Sequence, residues 1–112
     1  MRIAAGPVVI DRSESDFLTI GSKFTAGDGY WMVQVPTGAD LGEWFGADHY
    51  IEINDQAGGQ YGGIEAIEIA KDSLVLTLSG SADVFKEPLH LSFSEPMTAE
   101  VVDTLSRIGS KR

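Results

Sequence analysis

At 112 residues, with 43% apolar content and a mean hydropathy near zero, the sequence describes one globular domain able to bury a modest core. It has no cysteine, which excludes a disulfide framework, a thiolate nucleophile and thiolate metal ligands. A net charge of −9 argues against nucleic acid as a partner, because phosphates would repel it. No apolar run approaches the roughly 18 residues of a membrane span, so no membrane partner is expected.

The first predicted element is a strand over Ile3 to Ile10, which Pro7 confines to a sheet edge or a bulge. Met1-Arg2-Ile3-Ala4-Ala5-Gly6 begins as a signal peptide would, but Pro7 and Asp11-Arg12 cut the apolar stretch short. The cytoplasm is therefore the expected compartment. Asp11 to Asp16 is a polar turn, and Phe17-Leu18-Thr19-Ile20 is a short strand ended by Gly21. Gly27-Asp28-Gly29 signals a turn into a strand over Tyr30 to Val35, which Pro36 ends. That strand is apolar or aromatic on both parities, the pattern of a central strand or one covered on both faces.

Thr37 to His49 reads as a loop with one short turn, since its glycines oppose a long helix. Trp44 and Phe45 are large for a loop and are expected to pack on the sheet or belong to an interface. In Tyr50 to Asn54, Ile51 and Ile53 alternate with Tyr50, Glu52 and Asn54, which predicts a strand. Asp55-Gln56-Ala57-Gly58-Gly59-Gln60 then reads as a polar loop. From Ile64 to Ala70 the parity breaks between Ile64 and Ile67. A strand with a β-bulge near Ala66, which would keep Ile64 and Ala66 on the core side together with Ile67 and Ile69, accounts for this, with a short helix as the rival.

Lys71-Asp72 makes a tight hairpin into Ser73 to Ser79, where Leu74, Leu76 and Leu78 share one face. Gly80 to Asp83 is a turn and Val84-Phe85 opens a connection ended by Pro88. Leu89, Leu91 and Phe93 alternate with His90, Ser92 and Ser94, a half-buried strand. Thr98 is positioned as an N-cap for a helix whose stripe is Val101, Val102, Leu105 and Ile108, closed by Arg107 and Gly109. The expected fold is α+β, a mainly antiparallel β-sheet of about six strands with one C-terminal α-helix packed on it. Its core should hold Leu74, Leu76 and Leu78 with Ile53, Phe93 and the Val101–Leu105 stripe.

No catalytic constellation emerges. His90 lies on the polar parity of its strand. His49 stands beside Asp48, but neighbours in a strand point to opposite faces and form no dyad. His49, Glu52 and Asp55 are the only residues that suggest a metal site, and no ligand spacing enforces one. No serine sits on a strand-turn-helix elbow, Gly27-x-Gly29 lacks the rest of a phosphate loop, and Glu65 with Glu68 reads as a solvated pair. No catalytic residue, metal or cofactor is assigned.

The order Tyr50-x-Glu52, a Gln/Gly-rich loop, Tyr61-Gly62-Gly63-Ile64 and Asp72-x-Leu74-x-Leu76-x-Leu78 resembles the immunity protein 10 family of bacterial polymorphic-toxin systems. The resemblance is best from about Gly46 to Leu78. It implies a non-enzymatic antidote that binds a cognate toxin domain. Thr25 to Asp72 holds nine acids against Lys71 alone, a local −8, which suits a basic, nuclease-like toxin. Glu43, Asp48, Glu52 and Asp55 flank the Gly-rich loop and, with Gln56 and Tyr61, are the expected partner-binding residues. Tyr61-Gly62-Gly63 has a plainer reading as well, in which the glycines turn the chain and Tyr61 covers the core edge. The alternative function is a structural module that pairs with a second copy of itself, as a homodimer, through an exposed sheet edge.

Overall fold

Period-two alternation dominates the chain, and the structure converts it into two sheets over one core. The computed structural model describes residues 2–13, 16–36, 49–79 and 86–108, the side chains of 55–58 excepted. Strands β1 (Arg2–Ala5), β7 (Ile64–Ile69), β8 (Ser73–Leu78) and β9 (Leu89–Phe93) form a four-stranded sheet in the order β1-β9-β8-β7. Strands β2 (Val9–Asp11), β3 (Phe17–Lys23), β4 (Tyr30–Pro36), β5 (Tyr50–Ile53) and β6 (Asp55–Tyr61) form a five-stranded sheet in chain order. Every pairing is antiparallel except β1 with β9. One helix, α1 (Ala99–Ser106), follows. The α+β class and the C-terminal helix are as expected, but among the described residues nine strands in two sheets replace about six in one.

Two local events account for the difference. Pro7 does more than mark an edge: it divides the predicted first strand, and the chain changes sheets between Ala5 and Val9. Proline cannot donate to a ladder, so a gap between sheets is a place it can occupy without loss. The corner is held by Gly6 N–H donating to the Lys23 carbonyl at 2.8 Å and by an Ala5–Phe24 bridge. The second event is that Asp55 to Gln60, expected as a loop, is strand β6. Its polar, Gly-rich composition is poor for a strand. The open edge of β5 nevertheless supplies backbone partners, and Asn54 takes a positive φ of 71° to close the hairpin.

Strand β3 continues through Gly21 to Lys23 instead of ending at Gly21. The expected bulge in β7 is present between Ile64 and Ala66; it keeps Ile64, Ile67 and Ile69 on the core side, but Ala66, expected there with Ile64, is turned outward. Thr98 caps α1, its hydroxyl accepting from the Val101 N–H at 3.3 Å, and Arg107 is the C-cap. Gly109, Val84-Phe85 and the turn at Gly80 to Asp83 lie outside the described residues.

The buried alternates of both sheets meet in a single cluster. Ile20, Trp31, Val33, Ile51 and Ile53 come from the five-stranded sheet; Leu74, Leu76, Leu78, Leu89, Leu91 and Phe93 come from the other. Trp31 and Phe93 stack across the gap with ring centroids 5.7 Å apart and planes at 29°. Val101, Leu105 and Ile108 bring α1 into the same cluster. At about 1.5–3 kcal/mol per fully buried large aliphatic, these side chains are the main stabilising term. The Arg12–Glu100 ion pair between the end of β2 and α1 is half exposed, so it adds little. No helix among the described residues is long and apolar enough to cross a membrane.

Candidate partner-binding site

Because Ile20, Trp31, Val33, Ile51 and Ile53 face the core, the alternate residues of the five-stranded sheet face away from it. The register aligns them in rows. Val9, Gly21, Met32, Glu52 and Gly59 run across all five strands, and Asp11, Thr19, Gln34, Tyr50 and Tyr61 form the next row. Glu52 is the centre of the arrangement. The Tyr50 hydroxyl donates to its Oε1 at 2.7 Å and the Tyr30 hydroxyl donates to its Oε2. Tyr61 lays its ring against Tyr50, centroids 4.8 Å apart and planes at 54°. Beside Met32, an open groove of about 440 Å³ runs over Gly21 to Val9 and Thr19, with Tyr30 on its wall.

Of the six residues expected to bind a partner, this face brings together Glu52 and Tyr61. Tyr61 is 42% exposed. Glu52 is only 7% exposed, which corrects its expected place among accessible charges flanking a loop. Alternation placed it on the face away from the core, as observed, but tyrosines on β4 and on its own strand close over it. Glu43 and Asp48 lie outside the described residues. Asp55 and Gln56 belong to β6 by their backbone, and their side chains lie outside the description. Tyr30 and Tyr50 are the residues that sequence reasoning missed. Tyr50 carried a signal, being two residues from Glu52 on one strand face, whereas Tyr30 reaches Glu52 only through the β4–β5 pairing.

His49 is separated from this site by strand parity. It is fully buried, and its Nε2 accepts the Ile64 N–H at 3.0 Å, so the ring's proton sits on Nδ1. Its carbonyl also accepts from the Gly62 N–H at 3.0 Å, where Gly62 takes a positive φ of 68°. His49 thereby ties down both ends of the crossing from β6 into β7, the turn that Tyr61-Gly62-Gly63 was expected to make. The lone pair that a metal would need is engaged, and Glu52 faces the other way. Among the described residues, no group of three histidine, aspartate or glutamate side chains is arranged to hold a metal ion.

Burial, then the hydrogen bond to Glu52, then that carboxylate's charge push the Tyr50 phenol well above the usual tyrosine range. A raised folded-state pKa means that stability is intact below the unfolded value near 10 and is lost as pH climbs beyond it. We expect tyrosinate absorbance to rise for Tyr50 only well above that point, together with loss of the folded circular dichroism signal. In Glu52→Gln, Tyr50 should ionise at lower pH than in the parent. An unchanged titration in that variant would mean that the carboxylate does not govern Tyr50.

Taken together, the face offers one nearly buried acid, three tyrosines and an apolar groove. No protein-family model matches the chain, and no curated protein or solved structure is significantly similar to it.

Proposed function

We propose that this protein is a toxin-neutralising immunity protein, which binds and blocks the cognate domain of a polymorphic toxin in the cytoplasm and performs no catalysis. The observation that carries the reading is the exposed Tyr61, seated on Tyr50 beside Glu52 on the outer face of the five-stranded sheet. Large amphipathic rings at low conformational cost are what interface centres favour. The ordered likeness from Tyr50 to Leu78 to immunity protein 10 supports it, as does the acid excess between Thr25 and Asp72. A basic, nuclease-like toxin would be drawn by that charge and held by the aromatic face.

The test uses the cognate toxin domain, which this reading expects to be encoded beside the gene, with binding rates measured and cell survival scored on co-expression. Glu43→Lys with Asp48→Lys should slow association and flatten its salt dependence, because rim charges act mainly on encounter. Tyr61→Ala should chiefly speed dissociation, by about tenfold or more. Equal melting temperatures establish first that the variants fold. If wild-type protein neither binds the toxin nor protects cells, the reading is wrong. A second reading, self-association, is favoured by β6 standing at the edge of the five-stranded sheet. A mass measurement that finds only monomer at micromolar concentration would remove it.

A further inference from the structure

Among the described residues, no cation accompanies the buried carboxylate of Glu52. More than nine-tenths of it is buried, and its polar partners are the two hydroxyls of Tyr30 and Tyr50. Among the described residues no lysine, arginine or histidine forms an ion pair with it. Lys23 shares this face of the sheet but is exposed and registers opposite Tyr30 rather than Glu52. A buried carboxylate is costly unless a cation accompanies it. Each hydroxyl occupies one acceptor position on one oxygen, which leaves both oxygens able to accept again.

We infer that Glu52, with Tyr50 and Tyr61, is the seat for an arginine side chain supplied by a basic protein partner. The row through Glu52 explains why a long side chain fits there. Gly59 beside Glu52 and Gly21 beyond Met32 carry no side chain, and the groove over Gly21 extends to Met32 and Tyr30, the two neighbours of Glu52 on β4. The groove is largely apolar, and Val9 on it is itself 62% exposed. An aliphatic stem lies along Met32 and Gly21 while its head reaches Glu52. Arginine suits this better than lysine. Its planar guanidinium sheds water more readily, donates two parallel hydrogen bonds to a carboxylate and stacks on aromatic rings. The tyrosine hydroxyls then act as positioning groups that hold the carboxylate for the incoming donor.

This inference rests on the proposed binding role and specifies its chemistry, so the experiment separates the two. N-acetyl-arginine amide is titrated into the protein at constant ionic strength, and the ring resonances of Tyr50 and Tyr61 are followed by NMR. Saturable shifts with a dissociation constant on the order of 10 mM are expected. N-acetyl-citrulline amide, the neutral isostere, should bind at least about tenfold more weakly, as should arginine to Glu52→Gln. Tyr61→Ala removes the ring that packs on Tyr50, and it should weaken arginine several-fold in a protein that melts as the parent does. Equal binding of citrulline, undiminished binding by Glu52→Gln, or no saturable shift in wild type would each overturn the seat. Arginine binding without protection from the toxin would uphold the seat and remove the immunity reading. Full protection by Glu52→Gln would do the reverse.

Discussion

Replacing Trp31 with alanine is expected to lower the stability by about 3–5 kcal/mol, the usual cost of removing a buried indole. Trp31 is essentially inaccessible on central strand β4, and it is the residue through which the two sheets meet, by way of Phe93. Its Nε1 also donates to the Ser22 hydroxyl at 2.9 Å, so truncation leaves a void and an unpaired hydroxyl together. Since domains of this size hold about 5–15 kcal/mol in total, the variant should be near the limit of folding at 37 °C. Trp31→Phe keeps the stack and loses only the polar contact and some volume, so it should cost distinctly less. Urea unfolding followed by circular dichroism measures both. A loss below about 1 kcal/mol for the alanine variant would mean that the sheets do not meet through this ring.

The second large effect is expected at Gly21, where even one methyl group has no room. A Cβ built there would fall well inside contact distance of the Trp31 carbonyl oxygen and 2.9 Å from Met32 Cα. Both are backbone atoms of the paired strand, so no side-chain rotation relieves the overlap and β3 must move away from β4. Overpacking costs about 1–3 kcal/mol where side chains can adjust, and Gly21→Ala should reach or exceed the top of that range. The same change would also fill the groove beside Met32. Refolding yield and unfolding midpoint provide the check, and a variant as stable as its parent would place β3 and β4 farther apart than described here.

Much of the fold could be read from local pattern. Leu74, Leu76 and Leu78, like Leu89, Leu91 and Phe93, announce their strands and their buried face by period alone. Thr98 announced its helix because a cap is a local hydrogen bond, and the isoleucine parity break announced the β7 bulge. What escaped was set by partners distant in sequence. Nothing in Asp55 to Gln60 favours a strand; the unsatisfied edge of β5 does. The division into two sheets depends on where the chain crosses, at Pro7 and at Gly62-Gly63, and such residues serve equally well in an ordinary turn. In the candidate site, alternation placed Glu52 on the correct face, but only the register of β4 against β5 shows that Tyr30 helps to cover it. His49 was equally opaque, because its ring is used by Ile64 on a different sheet.

The parallel pairing of β1 with β9 also has a temporal meaning. Arg2 to Ala5 lie against His90 to Phe93, so a strand made early in this domain needs one made late in it as its partner. Until β9 emerges during synthesis, β1 has no strand to pair with and β8 has only β7 beside it. Contacts between such distant parts of a chain close slowly, because the intervening loop must be gathered first. The core therefore seals only once β9 has emerged, and a nascent chain arrested before Leu89 should remain open to protease where the complete domain resists.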